Sequence, residues 1–136
     1  VVISDTHIGC TLGLCPPEGM QRDGGTPVLP SPLQRKVWAM WQEFWGEVVP
    51  AWTKGEPFML IMNGDCIDGT HHNSVTQMSP NIEEQKALAV EVLRPVVAGA
   101  HGYYHVRGTE AHVGPSAQHE EAVAKALGAI PDEFGS

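Results

Sequence analysis

The chain has 136 residues, 42% of them apolar and 18% charged, with a formal net charge of −8 when the histidines are neutral. That balance fits one folded domain with its own core; it excludes a disordered chain, and no run of about 18 apolar residues is present to span a membrane. It also argues against a broad basic surface for nucleic-acid backbone, although cations held in a cleft would reverse the sign locally. The three cysteines, Cys10, Cys15 and Cys66, are too few and too odd in number for a disulfide framework, which points to a reducing, cytoplasmic setting. No secretory signal is visible. The chain opens on Val1, inside an apolar run and not on methionine, which suggests a segment of a longer protein.

Val1-Val2-Ile3 reads as a short buried strand that empties into Ser4-Asp5-Thr6-His7-Ile8-Gly9. The stretch from Ile8 to Pro30 is irregular and rich in Gly, Pro and Thr. It reads equally as a surface insertion or as a loop that covers substrate. Cys10 and Cys15 lack the second pair that a zinc site of this kind requires. Ser31-Pro32-Leu33-Gln34 announces a helix, with serine as cap, proline in the first turn and Gln34 completing a capping box. Leu33, Val37, Trp41, Phe44, Trp45, Val48 and Trp52 follow at helical spacing, the pattern of a helix packed on a sheet. Pro50 is expected to end or bend it, with Gly55 in the turn beyond.

A second apolar run, Phe58 to Asn63, leads into Gly64-Asp65-Cys66-Ile67-Asp68-Gly69. The loop that follows carries His71, His72 and Asn73, with a solvated histidine pair preferred over a phosphate or metal contact. Cys66 reads as a small buried filler. Pro80 or Asn81 opens the next helix, with Glu83 and Glu84 in its first turn and Ile82, Ala89, Val92, Leu93, Val96 and Val97 on its buried side. Pro95 is expected to kink or terminate it. The third run, Tyr103 to Arg107, leads into Gly108-Thr109-Glu110-Ala111-His112; His105 inside it reads as structural. After Gly114-Pro115, Ser116 starts a short helix with Val123, Ala126 and Leu127, closed by Gly128. His119 lies on its polar side. The order β-α-β-α-β-α predicts a parallel sheet with right-handed crossovers.

Three strand-like runs therefore deliver polar residues at their carboxyl ends, where open α/β sheets bind ligands. Asp5, His7 and Asp65 offer two carboxylates and an imidazole, a donor mix suited to Mn, Fe or Zn. Paired ions of this kind are a common device for phosphate-ester hydrolysis. Asp5-x-His7, then Gly64-Asp65-x-x-Asp68, then Gly108 followed by polar residues, resembles the calcineurin-like metallophosphoesterase superfamily. There the pattern is Asp-x-His, Gly-Asp-x-x-Asp, Gly-Asn-His-Asp/Glu, a later histidine and Gly-His-x-His. The resemblance implies that Asp5 and His7 bind a first metal, that Asp65 bridges two divalent ions, and that Asp68 supports the loop from behind. It departs at the third motif, where Thr109 stands at the family's metal-binding asparagine and Glu110 at its catalytic histidine. The preferred reading is a remodelled loop in which His112 protonates the leaving group and Glu110 approaches the metal, with Thr109 in support; the other is that this position has lost its role.

By the same resemblance, residues 1–136 form a single truncated domain, the first half of an α/β/β/α sandwich without the later histidine motifs. The implied activity is hydrolysis of a phosphate mono- or diester by a metal-bound hydroxide. One alternative is a DNA exonuclease or endonuclease of the same superfamily, with nucleic acid as partner. Another is a non-catalytic fragment that binds metal and turns nothing over. Half a sandwich would also expose a sheet edge and an apolar face, so self-association is expected.

Overall fold

A computed structural model describes residues 1–70, 75–110 and 118–133. Among them the chain forms an α/β unit with a three-stranded parallel sheet. The strands are β1 (Val2–Ile3), β2 (Met59–Asn63) and β3 (Gly102–Val106), in spatial order β1-β2-β3. The helices are α1 (Pro32–Glu43), a π-helical turn (Phe44–Val48), α2 (Val49–Thr53), α3 (Ile82–Ala98) and α4 (Gln118–Ala126). None of them is long and apolar enough to cross a membrane. The start expected at Ser116 lies outside the described residues, as do His71, His72, Asn73, Gly114, Pro115 and the proposed acid His112.

The sheet is one-sided. Ile3 pairs with Met62 and Leu60 with Tyr103, and these four are buried on one face against Leu88, Ala89, Val92 and Leu93 of α3 and Val123 of α4. Val37, Trp38, Trp41, Phe44 and Trp45 pack against the same cluster. The alternate positions Val2, Ile61 and Tyr104, in register with one another, point the other way and stay partly or fully open to solvent. Strand periodicity produces this division, because successive side chains leave opposite faces.

Two prolines were expected to end or bend their helices, and neither ends one. The first helical stretch does not end at Pro50. The amide of Val49 reaches back five residues to Phe44 O, and the π-helical turn absorbs the register change ahead of a proline that has no N–H to donate. Helix continues to Thr53 and closes on Lys54, at φ 54°. Trp52 is consequently turned outward, 84% exposed, and leaves the apolar stripe. Pro95 does not terminate α3 either, which runs on to Ala98. So near the carboxyl end, the missing N–H removes one bond only, and the Gly99 amide closes the turn on Pro95 O.

The stretch from Ile8 to Pro30 is not a surface insertion. Ile8, Cys10, Leu14, Cys15 and Met20 are buried, and short bridges join Cys10 to Gln77 and Met20 to Val28. It is held by Gln34, which completes the expected capping box with Ser31. Gln34 Nε2 also donates to Cys10 O and Gly13 O, both at 3.0 Å.

Candidate metal centre

Beyond β1 and β2 the two chains continue side by side. Asp5 N donates to Gly64 O, His7 N to Asp65 O and Ile8 N to Cys66 O, at 3.2, 3.1 and 2.9 Å, and Asp68 N returns a bond to Ile8 O at 2.9 Å. Thr6 lies inward, its hydroxyl donating to Cys66 O at 2.8 Å. With Thr6 anchored, its two neighbours Asp5 and His7 turn toward the loop after β2. Asp5, His7 and Asp65 each bring one ligand atom within 4.8 Å of the others.

All three of these residues have left-handed backbones, with φ of 53°, 41° and 50°. Among the described residues only Lys54, at a helix end, shares that conformation without being glycine. Left-handed backbone is unfavourable for side chains with a Cβ, although aspartate tolerates it better than most. Its concentration at three converging ligands marks the site as one where the surroundings hold the chain against its preference.

Two of the three ligands, His7 and Asp65, are braced. His7 presents Nε2 to Asp5 Oδ1 at 3.7 Å, while its Nδ1 faces Asp68 Oδ1 at 3.5 Å. Asp68 is buried, and its Oδ2 accepts from Gln77 Nε2 at 3.2 Å. A carboxylate behind the far nitrogen of a metal-ligating imidazole fixes ring orientation and leaves Nε2 for the ion. Asp65 Oδ1 accepts both the Thr109 amide, at 2.8 Å, and the Thr109 hydroxyl, at 3.2 Å, and these bonds leave its other oxygen unused. The approach depends on two glycines. A Cβ on Gly64 (φ 79°) would stand 2.8 Å from Gly108 Cα, and one on Gly108 would overlap Asp65 Oδ1.

The donor set fits a small divalent cation. Adjacent ligands about 2.1 Å from one ion stand roughly 3–3.5 Å apart, and His7 Nε2 and Asp5 Oδ1 stand 3.7 Å apart. Glu110 is exposed and is not among the converging residues. The cleft beside the cluster, about 350 Å³, is lined by Asp5, His7, Cys10, Asp68 and Thr76. A larger cleft of about 740 Å³, between Trp45, Pro57, Phe58, Pro95 and His101, lies at the amino ends of β2 and β3. Open α/β sheets bind ligands at the opposite end, and among the described residues this cleft holds no cluster of metal-competent side chains.

Glu120 escaped the sequence reading. It has no exposed surface, and its oxygens accept the amides of Cys66 at 2.5 Å and Gly108 at 2.6 Å, one in each loop. A signal was present: Glu120, Val123 and Leu127 occupy one helical stripe, which places the carboxylate on the buried side. Next to it, burial and the Glu120 charge push the Cys66 thiol well up, against a smaller opposing effect from Thr6, so the thiol stays protonated and inert. No family model, curated protein or solved structure matches the chain.

Proposed function

We propose that this chain binds a divalent cation through Asp5, His7 and Asp65 and forms part of a metal-dependent phosphoesterase. The convergence of three ligand atoms from two strand ends carries the reading. The braced imidazole, the Thr109 bonds to Asp65 and the resemblance of Asp5-x-His7 and Gly64-Asp65-x-x-Asp68 to metallophosphoesterase motifs support it. A bound cation of this class supplies Lewis acidity toward water and toward phosphoryl oxygens. The residues themselves supply negative charge at Asp5 and Asp65, an oriented nitrogen at His7, and a loop fixed by Asp68 and Thr109. A second ion, Glu110 as a further ligand and His112 as proton donor remain part of the proposal, as does the half-sandwich architecture. With a net charge of −8, a small phosphodiester is favoured over long duplex DNA as substrate.

Calorimetric titration with Mn²⁺ tests the metal. Wild type is expected to bind, and Asp65→Ala to bind at least about tenfold more weakly. No uptake by wild type would overturn the reading. A second reading, a metal-binding module without turnover, is favoured by Glu110 standing apart from the three converging ligands. Hydrolysis of bis(p-nitrophenyl) phosphate with Mn²⁺ separates the two, and release of nucleotides from a labelled oligonucleotide would favour a nuclease instead.

A further inference from the structure

Helix α4 contributes no ligand to the cluster, yet Glu120 from its first turn reaches under it. The carboxylate is fully buried, and burying a charge is unfavourable unless it is hydrogen-bonded on both oxygens. Both are bonded, and both partners flank the same side chain. Cys66, which gives its amide to Oε1, follows Asp65 directly. Gly108, which gives its amide to Oε2, directly precedes Thr109, whose amide and hydroxyl hold Asp65 Oδ1. Behind Glu120, His105 Nε2 stands 3.6 Å from Oε2, and the Tyr103 hydroxyl is 2.7 Å from His105 Nδ1. A Tyr103 proton donated to Nδ1 leaves the Nε2 proton facing the carboxylate, the favourable sign of charge. A neutral acceptor would satisfy two amides at less desolvation. A charged one holds them more tightly, as suits a loop whose central residue sits in left-handed backbone.

From these contacts we infer that Glu120 is a positioning residue for the cation site, a single carboxylate that clamps the loops on either side of Asp65 and so sets the site's affinity for its ion. The inference rests on the metal reading above. Its test is Mn²⁺ affinity, by calorimetry and by the electron paramagnetic resonance spectrum of the bound ion, in the full chain. Glu120→Gln keeps the shape but turns an amide donor against a backbone N–H. Glu120→Asp keeps the charge but is too short to span both amides. Each is expected to weaken Mn²⁺ binding about 10- to 100-fold and to broaden the spectrum. Leu93→Ala opens a core cavity and leaves both amide bonds in place, so it is expected to lower the melting temperature yet hold affinity within about twofold. Wild-type affinity in either Glu120 variant overturns this inference alone. Failure of both to fold, while Leu93→Ala folds, overturns it in favour of a purely structural role. A wild-type chain that takes up no Mn²⁺ overturns the metal reading and this inference together.

Discussion

At the scale of single residues, the candidate site is a place where the chain gives up local stability for geometry. Asp5 is the clearest case: its φ is 53°, its side chain is mostly exposed, and its carboxylate lies near that of Asp65. Replacing it with glycine removes the left-handed penalty and one of two like charges, while the freer unfolded chain offsets part of the gain. Asp5→Gly is therefore expected to stabilise the metal-free protein by roughly 0.5–1 kcal/mol, a few degrees in melting temperature. The same variant is expected to lose the stabilisation that Mn²⁺ gives wild type, because an ion that binds only the folded state raises its melting point. Thermal melts with and without Mn²⁺ check both halves; a metal-free variant less stable than wild type would show that Asp5 is not strained. The ligands were legible in the sequence because each follows an apolar run. Their left-handed backbones were not, since nothing in Asp-Thr-His announces φ. Glu120 was hidden by its neighbour: Glu120-Glu121 looks like an acidic first turn, and only the stripe through Val123 and Leu127 separates the buried carboxylate from the half-buried one.

At the scale of elements, three helices do the same job with different residues. Each sends one buried polar side chain to a loop at the carboxyl end of the sheet. Gln34 of α1 binds Cys10 and Gly13, Gln85 of α3 binds Gly69 and Ser79, and Glu120 of α4 binds Cys66 and Gly108. Each replaces an apolar residue at a core position and gives up some hydrophobic burial to satisfy backbone groups that water cannot reach. Gln85 makes three such bonds: its Nε2 donates to Gly69 O and Ser79 O, and its Oε1 accepts from Gly69 N. Gln85→Leu fills the same space but strands three buried polar groups, at about 1–3 kcal/mol each before relaxation. A loss near 3 kcal/mol is expected in urea denaturation. A loss under about 1 kcal/mol would mean that the loop after β2 rearranges to satisfy itself. Helix starts were readable from their caps, Ser31 and Asn81 both serving as such. The π-helical turn was not, because a proline in a helical pattern signals a break and gives no sign of whether an extra residue can absorb it.

For the whole molecule, alternation of strand and helix foretold the parallel sheet, since each crossover must carry the chain back to the same end. In the structure the core lies against one face of that sheet, and ionisable groups make up part of the interior. Cys15, Cys66 and Tyr103 are all buried. Burial pushes the Cys15 thiol up to about 11, with a smaller contribution from Glu18, and raises Cys66 and Tyr103 as well. In the unfolded chain the thiols lose their protons near 9.0. Below that pH both states keep the proton, and the stability contributed by the buried neutral forms is complete. Above it the unfolded chain ionises first, and each such group withdraws up to about 1.4 kcal/mol of stability per pH unit until the folded group titrates too. The melting temperature is accordingly expected to hold from pH 7 to 8.5 and to fall steadily from pH 9 toward 11. Cys15→Ala is expected to make that fall shallower, whatever its effect at neutral pH, because it deletes one titrating group. Calorimetric melts across this range at constant ionic strength decide the matter. A melting temperature level to pH 10.5 would mean that water reaches these groups in the folded state, and that the interior is looser than its burial implies.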